Sequence, residues 1–357
     1  MRLIVSVLAL AFALPLHAEE KTLNLYNWAD YVPVEALKRF QSETGIQVKY
    51  DTFDSAEVLE SKLLTGGSGY DLVFPASSGL ARAISAKALQ PVGELANSGN
   101  LDPELQAKLA GIDPGNQYGV AYTWGTVGLG INRQAVEQRL PGVALDSLDL
   151  LFKPEYATKL KDCGIAVLDS PQEVMAVALN YLGKPPYSTA KADLVEVQTL
   201  LAQLQPNLRY VGQSRQIDDL AKGEICLALS YTGDVGMAAA RAAEAEQSFE
   251  VVYRIPREGT LIWFDTMAIP VDAPHPEAAR AFIDYMLKPE SIAELTNSLY
   301  FANANQAAAP LLDEAVSGDP DIYPPQAMRA KLFAEQQLPL KDMRQRTRLW
   351  TAFRTQY

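Results

Sequence analysis

Histidine is almost absent from this chain. There are two, His17 and His275, and His17 falls in an N-terminal segment that reads as a removable leader. His275 stands in Ala273-Pro274-His275-Pro276, where the flanking prolines indicate an exposed loop. Without a second imidazole, a Ser-His-Asp arrangement and most zinc sites have no material. Cysteine is equally scarce. Cys163 and Cys226 show no Cys-x-x-Cys spacing, which leaves out a redox dithiol and a zinc ribbon. In an oxidising compartment such a pair is bonded; otherwise it is two buried thiols. Nucleotide signatures are missing too. Gly66-Gly67-Ser68-Gly69 lacks the Lys-Ser/Thr that completes a phosphate loop, and Gly125, Gly128 and Gly130 are out of order for a dinucleotide fingerprint. These glycines read instead as a turn and a tight strand crossing. With no catalytic residue, metal-ligand set or cofactor motif, the chain reads as a non-enzyme.

Long apolar runs are confined to the start. Arg2 precedes Leu3 to Leu14, interrupted only by Ser6, and Pro15 and Ala18 close the segment. That is the pattern of a signal peptide over residues 1–18 with cleavage near Ala18, too short to span a bilayer core of about 30 Å. A retained anchor is the rival reading. No Cys stands at the cut, which argues against a lipoprotein. The mature protein is therefore expected to begin near Glu19 as an exported, periplasmic chain.

Removing residues 1–18 from 357 leaves 339, long for one core and suited to two lobes. The apolar share of 48% and charged share of 21% are those of a globular protein. A formal charge of −12 disfavours nucleic acid and anionic lipid and favours cationic solutes. Strand and helix patterns alternate. Strands are expected at 22–27, 46–50 and 70–75, with helices at 33–40, 56–64 and 80–88 between and after them. A second α/β block begins near Trp124, with strands at 164–169 and 225–230 and helices at 171–182, 190–203 and 235–246. Strands at 249–255 and 261–269, a helix at 277–287 and a largely helical tail follow. Alternation of this kind implies parallel strand pairs with right-handed crossovers.

Six segments, in this order, carry a resemblance. They are 25–31 (Leu-Tyr-Asn-Trp-Ala-Asp-Tyr), 53–60 (Phe-Asp-Ser-Ala-Glu-Val-Leu-Glu), 70–73 (Tyr-Asp-Leu-Val), 179–183 (Leu-Asn-Tyr-Leu-Gly), 302–305 (Ala-Asn-Ala-Asn) and 322–325 (Ile-Tyr-Pro-Pro). Over almost the whole mature length the sequence resembles the periplasmic polyamine-binding subunits of ABC importers, of the putrescine and spermidine type. The resemblance implies an α/β, two-lobed periplasmic binding fold (type II). Each lobe would be a mixed sheet flanked by helices, with the ligand cleft between them. Lobe I is expected over 19–123 plus 252–295 and lobe II over 124–251 plus 296–357. It also implies a Cys163–Cys226 disulfide, which would stabilise the fold by about 4 kcal/mol, and delivery to an inner-membrane ABC permease by a monomer without cofactor.

The chemistry of such a site can be argued on its own. A polyamine is an apolar rod with an ammonium at each end. Each ammonium needs a carboxylate once buried, and the methylenes need flat aromatic walls. The family's ligand-binding positions fall on residues of those kinds: Trp28, Asp30, Tyr31, Ser77, Glu173, Tyr231, Asp234, Trp263, Asp265 and Phe301. Asp30, Asp234 and Glu173 would serve equally as helix-capping or helix-dipole residues. Asp265 is harder to dismiss, because it interrupts the apolar run Ile262-Trp263-Phe264-Asp265-Thr266, and it is expected to be the principal ammonium ligand. Relatives usually carry Ser at positions 29 and 76, Trp at 231 and Tyr at 301, where this chain has Ala29, Ala76, Tyr231 and Phe301. Charge recognition would survive those changes, while the choice among amines would shift. A binder of another amine, such as an ω-amino acid, and a polyamine sensor acting with a membrane receptor are the alternatives.

Overall fold

The computed structural model describes residues 21–29, 31–53 and 55–354. The leader and Asp30 therefore lie outside the described residues. Helices and strands interleave through the chain, and twelve strands connect edge to edge. They are β1 (Thr22–Trp28), β2 (Gln47–Phe53), β3 (Leu72–Val73), β4 (Leu89–Gln90), β5 (Gly119–Asn132), β6 (Ile165–Val167), β7 (Tyr210–Val211), β8 (Leu227–Tyr231), β9 (Val251–Arg254), β10 (Leu261–Pro270), β11 (Ala302–Asn303) and β12 (Phe333–Ala334).

The order β2-β1-β3-β10-β5-β8-β6-β7 divides at β5. β1 lies parallel to both β2 and β3, the outcome of the strand-helix alternation at the N-terminus. Up to Thr126, β5 runs antiparallel to β10, and its Trp124 and Thr123 also pair with β11. From Val127 onward it pairs with β8 and β9 instead. One fourteen-residue strand thus belongs to both halves of the molecule. All fourteen of its residues are buried, so it carries no in-out alternation. Its glycines make room for neighbours: a Cβ at Gly130 would come within 2.7 Å of Val235, and one at Gly125 within 2.3 Å of the Trp263 ring.

Helices cover both halves, and their ends follow local chemistry. Gly45 adopts φ 71° and closes the helix Val34–Thr44 in the left-handed conformation that a Cβ disfavours. Ser55 caps Ala56–Thr65 by accepting from the Val58 amide, and Pro171 occupies the first turn of Pro171–Tyr181. The core forms two clusters, a larger one centred on the first half and a second around Val127, Leu129, Ile131 and the helix Pro171–Tyr181. Cys163 and Cys226 form a disulfide with Cα atoms 5.5 Å apart, tying the entry of β8 to the turn before β6. Among the described residues no helix is long and apolar enough to cross a membrane.

Most expected elements fall within a few residues of those observed, with two exceptions. The strand expected at 70–75 shrinks to Leu72–Val73, since Asp71 turns its carboxylate to the Asn24 amide and to His275. The expected helical tail includes the strands β11 and β12.

Candidate functional site

The strand β10 places one carboxylate where none belongs on grounds of hydropathy. Its pairing with β5 slips between Asp265 and Thr266, so that Tyr122 is the extra residue of a β-bulge. Asp265 ends up 7% exposed. The Tyr31 hydroxyl donates to its Oδ2 at 2.7 Å and lies 2.8 Å from Thr123 Oγ1. Burial lifts the Asp265 carboxyl to about 6, against the pull of the Tyr31 hydrogen bond. The Tyr31 phenol is held well above its ordinary value, first by burial and then by the Asp265 charge, so it stays a donor.

Four aromatic rings lead away from this carboxylate. Tyr31 and Phe301 have centroids 5.1 Å apart, Phe301 and Trp263 meet edge to face at 6.2 Å, and Trp263 and Tyr231 do so at 6.4 Å. The backbone prepares this series. Trp263 packs on the bare Cα of Gly125, and Phe301 on that of Gly233, where a Cβ would sit 2.2 Å from the ring. Trp263, Tyr231 and Phe301 are each only partly buried, which leaves ring surface for a solute.

At the far end of the series Tyr231 donates to Glu173 Oε2 at 2.6 Å. Glu173 lies in the first turn of Pro171–Tyr181, and Asp234 in the first turn of Thr232–Glu244, where the helix dipoles favour negative charge. Burial nevertheless raises the Glu173 carboxyl, opposed by hydrogen bonds from Tyr231 and Ser170, and lifts Asp234 to about 6. Glu335, just past β12, joins this end. Burial and then the Glu173 charge push it up to about 8, with Arg82 opposing.

The site thus consists of rings in series with a carboxylate at one end and three near the other. Among the described residues no Lys, Arg or His forms an ion pair with Asp265, Glu173, Asp234 or Glu335, and their perturbations come chiefly from burial. A buried, unpaired carboxylate is costly, and a visiting cation relieves that cost. No group of three or more described His, Cys, Asp or Glu residues is arranged to hold a metal ion.

Two of the residues singled out from sequence sit differently. The Ser77 hydroxyl accepts from the Phe264 amide at 2.9 Å and donates to the Phe264 carbonyl at 3.2 Å, so it holds β10 rather than facing the rings. Trp28 packs against Phe53, with centroids 4.5 Å apart, beside a hollow lined by Leu59, Leu63 and Ala76. Its indole N–H has no hydrogen-bond partner, nor has that of Trp263. Thr123, Gly125, Gly233 and Glu335 did not emerge from the sequence. Gly125 had a signal in its spacing, read only as a crossing, while Gly233 and Glu335 had none.

Comparison with known proteins identifies the family of the chain. The family model described as bacterial extracellular solute-binding protein matches residues 35–324. The putrescine-binding periplasmic protein PotF of Escherichia coli (strain K12) is 46% identical over 94% of this chain and 92% of its own length. The putrescine-binding periplasmic protein SpuD of Pseudomonas aeruginosa (strain UCBPP-PA14) is 44% identical over 95% and 93%. Among solved structures, the spermidine/putrescine ABC transporter substrate-binding protein PotD from Streptococcus pneumoniae superposes with a TM-score of 0.83 at 28% identity, covering 94% of this chain and 99% of that one.

Proposed function

The chain belongs to the bacterial extracellular solute-binding proteins, and from that membership we propose that it captures an aliphatic di- or polyamine, of the putrescine, cadaverine or spermidine class, between its two lobes. The observation that carries this reading is the series Tyr31, Phe301, Trp263 and Tyr231, bounded by Asp265 at one end and Glu173 at the other. Ammonium groups pair with the terminal carboxylates, and the methylenes lie on the rings. The names of PotF and SpuD support the same class.

In this reading Asp265 is the principal anchor, Tyr31 orients it, and Trp263 and Phe301 are walls. Tyr231 positions Glu173, and Asp234 adds charge at that end. Trp28, the last residue of β1, packs on Phe53 beside the slot, and Ser77 pins the strand that carries Asp265. The lobes are joined through β5, whose pairing passes from β10 and β11 to β8 and β9 after Thr126. The chain works as a periplasmic monomer after loss of its leader and passes its amine to an ABC permease.

Titration calorimetry with putrescine, cadaverine, spermidine, spermine and 4-aminobutyrate tests the reading. One-to-one binding of an amine, lost in Asp265→Asn, is the expected result. Binding of 4-aminobutyrate alone would overturn it, because the slot offers no cation for a carboxylate.

A further inference from the structure

Glu335 has no part in the reading above, yet three elements bring it to the same slot. β12 runs parallel to β10, with Phe333 opposite Leu261 and Ala334 opposite Ile262. One step further in that register, Glu335 stands alongside Trp263, the ring between Phe301 and Tyr231. The segment is fixed on both sides. Lys108 donates to the Leu332 carbonyl at 2.8 Å, and Gln337 donates to Ser85 Oγ at 2.6 Å. From the loop after the helix Pro171–Tyr181, the Tyr187 ring meets Phe333 edge to face at 6.4 Å.

The charged and titratable groups facing Glu335 are few. They are Glu173 from the helix Pro171–Tyr181, Tyr187 from the loop beyond it, Tyr231 at the end of β8 and Arg82 from the helix Ser77–Ser85. Arg82 is already engaged, with its Nε 2.8 Å from Glu60 Oε1. Arg346 lies over the Tyr187 ring, 5.5 Å from its centroid, and spends its Nη2 on the carbonyls of Pro186 and Ser188. Two carboxylates therefore share a partly buried corner with no free cation between them. Such a pair resists holding two charges at once.

We propose that Glu335 carries a proton while the slot is empty and releases it when the amine arrives, so that capture is coupled to proton release. The ammonium enters already charged and none of its bonds changes. The O–H bond of the Glu335 carboxyl breaks, its proton passes to a buffer base, and the carboxylate left behind pairs with the ammonium beside Glu173. This inference rests on the amine reading of the same slot.

Calorimetry with putrescine at pH 7.5, run in phosphate and in Tris, tests it through the difference in buffer ionisation heats. The wild-type protein is expected to release about half to one proton per amine bound. Its affinity should rise by up to roughly tenfold per pH unit over the range where that proton is held. Glu335→Gln should still bind putrescine, release almost no proton, and show a nearly flat affinity from pH 6.5 to 8.5. A wild-type count of zero, or an equal count in the variant, overturns the proposal. The fall of the wild-type count between pH 7 and 8.5 needs no variant, and its absence is equally fatal. Binding without proton release leaves the amine reading intact, whereas no heat from any amine removes that reading first.

Discussion

The two ends of the slot solve the same problem with different architecture. At one end a single carboxylate among the described residues, Asp265, sits opposite the β-bulge of β5 and is clamped by the Tyr31 hydroxyl. At the other, Glu173, Asp234 and Glu335 come from two helix starts and a crossing segment, held in part through Tyr231. A sheet fixes position, since its register admits no small adjustments. Helix first turns favour charge but tolerate variation in what stands beside them. In the proposed amine reading this divides the labour, with Asp265 as the fixed anchor and the three-carboxylate end as the place where amine length and charge are read.

Asp265→Asn should break the comparison most severely, weakening amine binding by ~30-fold or more, since truncating one partner of a buried charge pair costs about 2–5 kcal/mol. The same substitution should raise the melting temperature of the empty protein at neutral pH. The folded carboxyl titrates near 6, above its unfolded value, so the folded state binds more protons between about pH 4 and 6. Ligand-free stability contributed by this group is therefore present below pH 4 and lost as pH rises through 6. Thermal melts of both proteins from pH 4 to 8 would check this, and identical profiles would count against it.

Gly125→Ala comes next. The new methyl would overlap the Trp263 ring, so the ring must move without any ligand contact being deleted. Affinity is expected to fall by roughly tenfold, in keeping with the worth of an aromatic wall to a cation. A smaller effect belongs to Tyr231→Phe, which frees Glu173 of its 2.6 Å hydrogen bond. A loss of about five- to tenfold in titrations is expected, greater for longer amines than for putrescine if this end reads length. Ser77→Ala should do least to affinity, about two- to threefold, while lowering stability by about 1 kcal/mol in urea denaturation, because it removes a backbone pin rather than a ligand.

Much of this was legible in the residues themselves. An acidic residue within an apolar strand pointed to Asp265, whereas Glu173, Tyr231, Trp263 and Phe301 stood out through the resemblance to the polyamine-binding subunits rather than through spacing. β5 was not legible, because a strand buried along its whole length shows no alternation and its four glycines imitate a loop. The bulge at Asp265 was hidden for a related reason, since register slips leave no trace in hydropathy. Glu335 escaped because a two-residue strand has no period to detect. Its importance comes from Trp263, seventy-two positions away in sequence, and only the register of β10 with β12 brings the two side by side.

The close fit of Trp263 on Gly125 gives the molecule an optical gauge of its own state. Of four tryptophans, Trp124 lies on β5 with its indole N–H held by the Asn303 carbonyl, and Trp263 rests one residue beyond it, next to the boundary where β5 passes from one half to the other. An amine that settles on Trp263 and draws the halves together changes the surroundings of both chromophores at once. Emission from the unlabelled protein therefore follows capture directly, at a place where the ligand and the pivot are neighbours.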